Sequence, residues 1–251
     1  MSEVLEALRT SVSQLRSVVP SLSDAQLEMP AYPSEWTIAQ ALSHLGSTAE
    51  ILRRRYEDAL AGHETSPDFN QSVWDTWMAK SPREQANDSL VADREILEGL
   101  DGLSTEDRAR FKFTMGPIAL DFDSFVYFRL NEHLLHSWDV DVALDPSAVL
   151  SAHAVPFVID NLEMAVSYSG KSTAAQHLVH VRTTDPRRDV TFSIGADGVA
   201  IESSGPVDRP DLILPAEALI RLVYGRLDPA HAPPVEGDGD LDELRRTFPG
   251  I

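Results

Sequence analysis

The sequence predicts a two-domain α+β protein: an N-terminal four-helix bundle followed by a C-terminal α+β domain with a mostly antiparallel sheet. Three observations carry this. As far as about residue 144, apolar residues recur at spacings of three and four, the period of amphipathic helices. Beyond Asp145-Pro146 the pattern changes to short β-type runs punctuated by turn residues. The chain, at 251 residues, is long enough for two domains of ordinary size, which places them at 1–146 and 147–251.

In chain order, Val4, Leu5, Leu8, Val12, Leu15 and Val18 mark a first helix over 2–18, which Pro20 stops. Residues 21–33, with Pro30 and Pro33, read as a loop with room for a short helical turn. Ser34 is the expected N-cap of a second helix running from about Glu35 to Ala61. Residues 62–80 read as loop with part of a helix, Trp74 and Trp77 covering something apolar. A third helix spans 82–102, and a polar connection spans 103–117. A fourth helix covers about 119–144. In the second half, 152–168 reads as one helix, and strands are expected at 177–182, 189–194, 198–202 and 211–214. Pro215 to Tyr224 is helical, with Pro at its start and Gly225 at its end, and 240–248 forms a last short helix.

Composition narrows the function. The formal charge is −19, from 40 acidic and 21 basic residues, which argues against nucleic acid and anionic membrane as partners. No apolar run approaches the roughly 18 residues of a membrane span, and the N-terminus has no signal-like apolar segment, so the expected location is the cytoplasm. There is no cysteine, so any thiol chemistry needs a thiol supplied as a small molecule.

The candidate site lies in Leu130-Asn131-Glu132-His133-Leu134-Leu135-His136-Ser137-Trp138-Asp139. At about 100° per residue, Glu132, His136 and Asp139 share one helix face, whereas His133 lies about 100° from Glu132 and points elsewhere. His44, in the middle of the second helix, is the candidate third ligand, so one divalent metal is expected between the two helices. Asp139 reads as the residue that orients a ligand imidazole rather than a fourth ligand. Arg55 falls on the His44 side of its helix and is a candidate for binding a substrate carboxylate. Two distractors fall away. His177 and His180 sit on opposite faces of one strand, and Asp238, Asp240 and Asp242 lack the Gly and Glu that a calcium loop needs.

With these residues located, the chain resembles the mycothiol-dependent maleylpyruvate isomerase family. Trp36-Thr37…His44-Leu45 and Glu132-x-x-x-His136-x-x-Asp139 are similar to that family's DinB-like bundle. Asp211 to Arg226, followed by Val235-Glu-Gly-Asp238, resembles its C-terminal domain. The resemblance implies a divalent metal, usually zinc, on His44, Glu132 and His136, and a catalytic arginine matched by Arg226, with Arg221 its near rival. It implies mycothiol as the thiol cosubstrate and an active site in the cleft between the domains.

The function expected from these features is metal- and thiol-dependent isomerisation or S-transfer on a small electrophile such as maleylpyruvate. A metal-dependent hydrolase is the enzymatic alternative, and a non-catalytic thiol-binding or regulatory protein the alternative of another class. Nickel and iron accept the same ligands as zinc. A monomer and a homodimer are equally compatible with the sequence.

Overall fold

The structure is a computed structural model that describes residues 2–33, 35–116, 118–202 and 207–250. It divides into two compact units, Met1–Ala148 and Val149–Ile251.

Four long helices build the first unit: α1 (Glu3–Val18), α3 (Ile38–Ala61), α5 (Pro82–Gly102) and α7 (Phe122–Leu144). Between them lie α2 (Asp24–Leu27), α4 (Phe69–Met78) and α6 (Thr105–Arg110). In the bundle α3 packs on α5 and α7, and α1 packs on α7 and α5. Leu15, Val19, Leu27, Ile38, Leu42, Leu45 and Val140 fill one part of its core. Another part is aromatic, where Tyr56, Phe111, Phe113, Phe122 and Phe125 meet with ring centroids 4.9–5.8 Å apart.

Helix boundaries differ from the sequence expectation where side-chain chemistry decides them. α3 begins three residues after Glu35, because Thr37 and Gln40 form a capping box. The Gln40 amide donates to Thr37 Oγ1 at 3.2 Å and the Thr37 amide to Gln40 Oε1 at 2.9 Å. The expected cap Ser34 lies outside the described residues. Gly62 ends α3 in the left-handed conformation, at φ 73°. The connection read as polar loop contains α6 and a hairpin, β1 (Phe113–Met115) paired antiparallel with β2 (Ile118–Leu120). Residues 118–120 are therefore strand rather than the start of the fourth helix, which Asp121 caps by accepting from the Ser124 amide at 2.9 Å.

The second unit holds α8 (Val155–Ile159), α9 (Glu163–Ser169), α10 (Ala216–Val223) and α11 (Leu241–Thr247). The single helix expected over 152–168 is two. Pro156 is accommodated in the first turn of α8, whereas four residues into a helix its ring would meet a backbone carbonyl. After α8, Asn161 Nδ2 donates to the Phe157 carbonyl at 2.9 Å, competing with the helical ladder. The strands are β3 (His177–Thr184), β4 (Asp189–Gly195), β5 (Gly198–Glu202), β6 (Leu212–Pro215) and β7 (Glu236–Gly237), in the order β5-β4-β3-β6-β7. All neighbours are antiparallel except β3 with β6, so the sheet is mostly antiparallel, as expected. The two-residue β7 has no legible strand pattern of its own.

A polar network runs through the bundle. Arg129, on α7, pairs with Asp93 of α5 and donates through Nη2 to the Leu45 carbonyl of α3 at 3.1 Å. His133, one turn further on, places Nε2 3.3 Å from Asp93 and Nδ1 2.8 Å from the Ser11 hydroxyl of α1. All four helices thus meet at groups closed off from solvent. Burial pushes the Asp93 carboxyl up, but His133 and Arg129 beside it outweigh burial and hold it below the ordinary 3.8.

Two stability predictions follow from this packing. A Cβ at Gly46 would overlap the Trp77 ring that closes α4 onto α3, so Gly46→Ala should cost about 1–3 kcal/mol, read as a lowered Tm. Asp93→Asn leaves the Arg129 charge buried without its carboxylate and should cost about 3–5 kcal/mol at pH 7. The folded pKa of Asp93 is depressed, so its stabilisation is present above pH 3.8 and is lost as pH falls through the folded value. The gap between wild type and variant in denaturant melts should therefore narrow below pH 3.8.

Candidate metal centre

His44 comes from the second turn of α3, and Glu132 and His136 from successive turns of α7. Arg129 joins the two helices at the residue after His44, which fixes the distance across which the three side chains face one another. His44 Nε2 lies 3.2 Å from Glu132 Oε2, and His136 Nε2 lies 3.9 Å from the same oxygen. The three candidate ligand atoms all fall within 4.8 Å of one another. With zinc–ligand bonds near 2.0–2.1 Å, a tetrahedral site has ligand atoms roughly 3.3 Å apart, so the cluster fits one small divalent ion. The donor set of two imidazoles and one carboxylate leaves a coordination position open for a further ligand.

The surrounding groups prepare these donors. His136 Nδ1 is 2.9 Å from Asp139 Oδ2, and Asp139 is only 1% exposed. A buried carboxylate there favours the tautomer with the proton on Nδ1 and the lone pair on Nε2, toward Glu132. Burial raises the pKa of Glu132, but the hydrogen bond to His44, together with His136, His44 and Arg129, outweighs it and holds the group below the ordinary 4.5. Glu132 is therefore an ionised donor at neutral pH. The Trp36 indole lies against both imidazoles, with ring centroids 5.2 Å from His44 and 5.9 Å from His136. The sequence places Trp36 in the first turn of the second helix and gives the indole no role; the helix begins only at Ile38, so Trp36 lies in the loop before it, where the tertiary fold sets the direction of its side chain.

The other sequence-selected residues lie elsewhere. His133 faces the bundle interior and Ser11, away from Glu132. Arg55 donates to the Thr114 carbonyl at 3.0 Å and stacks over Phe113, so it anchors the β1–β2 hairpin. Eleven residues at 1.5 Å rise place it about 16 Å along α3 from His44, and the structure does not bring it to the triad. Trp77 is buried and donates to Glu50, whereas Trp74, expected to pack, is exposed. Asp240 caps α11 rather than forming part of a calcium loop.

In the second unit the two arginines differ. Arg221 is 2% exposed, holds Glu217 with both arms at 2.7 and 2.8 Å, and donates to the His231 carbonyl at 2.9 Å. Arg226 is partly exposed and donates to the Tyr224 carbonyl at 3.0 Å. Arg221 is buried in the fold, and Arg226 is the more exposed of the two.

These features define a class: an α+β protein whose four-helix bundle carries a two-histidine, one-carboxylate cluster between neighbouring helices. Residues 8–141 match the family described as mycothiol maleylpyruvate isomerase N-terminal domain, and the chain belongs to that family. The fold is shared with the crystal structure of the mycothiol-dependent maleylpyruvate isomerase, at TM-score 0.64 and 13% identity over 90% of each chain. A histidine-to-alanine mutant of that enzyme matches with the same score and identity over 90% of this chain and 89% of the other. No curated protein matches the chain.

The contrast between the arginines is testable. Arg221→Ala should lower the Tm of the protein steeply, since it leaves Glu217 buried without its partner, at a cost of about 3–5 kcal/mol. Arg226→Ala, at a partly exposed position, should cost less, about 1 kcal/mol.

Proposed function

We propose that the chain is a metal- and mycothiol-dependent enzyme that isomerises, or forms a thioether with, a small electrophile bearing a carboxylate, maleylpyruvate being the reference substrate. The observation that carries this reading is the convergence of His44, Glu132 and His136 within 4.8 Å, in a chain of this family. The absence of cysteine from the 251 residues agrees with a thiol that arrives as a cosubstrate.

His44, Glu132 and His136 would hold the ion, zinc being the one that the resemblance to the family implies. When bound, it supplies positive charge at an open position, which favours thiolate over thiol near neutral pH. Asp139 keeps the His136 proton on Nδ1, and ionised Glu132 contributes the charge that balances the cation. In isomerisation, thiolate sulfur adds to one carbon of the cis double bond, forming a C–S bond as the π pair moves toward the conjugated carbonyl. Rotation about the resulting single bond precedes loss of the same sulfur, which restores the double bond in the trans geometry. Atoms balance without oxidant or reductant, and the thiol is regenerated. In S-transfer the C–S bond is kept and a proton quenches the carbanion. Arg226 is the proposed partner of the substrate carboxylate, because a guanidinium binds it through two parallel hydrogen bonds. Arg55 is proposed to support the β1–β2 hairpin rather than to meet substrate.

Elemental analysis of wild type beside His136→Ala tests the reading. About one equivalent of zinc or nickel per chain in the wild type, lost in a variant that keeps its helical circular dichroism, is the expected result. Turnover of maleylpyruvate should then require both the metal and added mycothiol. Metal-dependent activity without any thiol would replace this function with a hydrolase. No metal in the wild type after reconstitution would overturn the metalloenzyme.

A further inference from the structure

Resting on the metal centre just proposed, we infer that Trp36 is a positioning residue for it: its indole holds the two imidazoles in their ligating pose and favours the cation they bind. The two histidines are not supported alike. His136 has the Asp139 carboxylate on Nδ1. The His44 imidazole has only Glu132 as a hydrogen-bond partner among the described residues, and that contact is made through Nε2, the nitrogen that would ligate the ion. Among the described residues, no hydrogen bond on the Nδ1 side fixes the plane of the ring. Ring packing does so instead: the His44 imidazole has the Trp36 indole at 5.2 Å and the His136 imidazole at 4.5 Å, the three rings forming a closed triangle. The indole also runs nearly parallel to the His136 ring, at an interplanar angle of 29°.

The indole is 40% exposed, so burial alone does not hold it there. The loop that carries it does. The Ala31 amide donates to the Trp36 carbonyl at 2.8 Å, and the Ile38 amide to the Met29 carbonyl at 2.9 Å, closing the segment into a narrow hairpin. The Tyr32 amide donates to the carbonyl of Asp139 at 3.1 Å, which ties the loop to the residue that orients His136. Tyr32 also packs edge-on against Trp138 of α7 at 5.2 Å. One loop therefore references Trp36 to both ligand-bearing helices. An indole face carries negative electrostatic potential, so it attracts imidazoles more strongly once a divalent cation has drawn charge from them.

The test compares zinc affinity, by competition with a chromophoric chelator, for wild type, Trp36→Leu and Trp36→Phe, with the visible spectrum of the cobalt-loaded proteins. Groups that orient ligands change metal affinity about 10–100-fold, so Trp36→Leu should bind zinc at least tenfold more weakly. Its cobalt d–d bands should also shift while its Tm stays near wild type. Trp36→Phe, which keeps an aromatic face, should stay within about threefold of wild type and retain the cobalt spectrum. Undiminished zinc affinity in Trp36→Leu would overturn the inference and leave the metal site standing. Equal losses in the Leu and Phe variants would also overturn it, because an aromatic face would then not be what matters. A wild-type protein that takes up neither zinc nor cobalt would sink the metal centre itself, and this role with it.

Discussion

The guanidinium of Arg129 is the constraint around which the bundle is arranged. It sits with no solvent exposure, paired with Asp93 of α5 and bonded to the Leu45 carbonyl of α3, while its own helix is α7. Taking a charge out of water costs several kcal/mol unless it is paired and hydrogen-bonded. Only arrangements that bring α3, α5 and α7 to Arg129 at the same depth meet that condition. Nonpolar side chains would tolerate sliding of one helix along another, but this pair does not. His133 extends the same requirement to α1 through Ser11.

That fixed register places the functional cluster. Leu45, whose carbonyl Arg129 takes, follows His44, and Glu132 lies one turn beyond Arg129 on α7. The buried network and the candidate metal centre are therefore two sides of the same contact between α3 and α7, one closed and one partly open to solvent. His133 and His136, three residues apart, divide between them. The first is satisfied by Asp93, Ser11 and Ser137 inside the bundle. The second faces Glu132 with its proton held by Asp139. Two histidines of one helix thus take a structural and a candidate ligand position, according to what each meets across the interface.

How much was legible in the sequence follows from how local each cause is. The long helices α1, α3, α5 and α7 bury faces whose period is written in consecutive residues, so they could be read to within a few positions. The co-facial placement of Glu132, His136 and Asp139 needs only helix geometry, and so could be read too. Short elements could not. The β1–β2 hairpin and β7 owe their existence to partners elsewhere in the chain, and the break between α8 and α9 to one Asn side chain that takes a helical carbonyl. The contacts of Arg55 with the Thr114 carbonyl and the Phe113 ring could not be read either, because they depend on where the β1–β2 hairpin folds back.

The sequence by itself determined the helical period of the first unit, the strand-rich character of the second, and the set of residues able to ligate a metal, because these depend on side-chain chemistry and on spacing within single segments. Tertiary structure decided which of them meet. It brought His44 to Glu132 and His136, withdrew His133 into the core, buried Arg221 against Glu217 while leaving Arg226 partly exposed, and laid Trp36 over the imidazoles. Each of those outcomes depends on contacts between residues far apart in the chain, where the deciding quantities are the burial of charge and the distance across a helix interface, and neither is encoded in any one stretch of sequence.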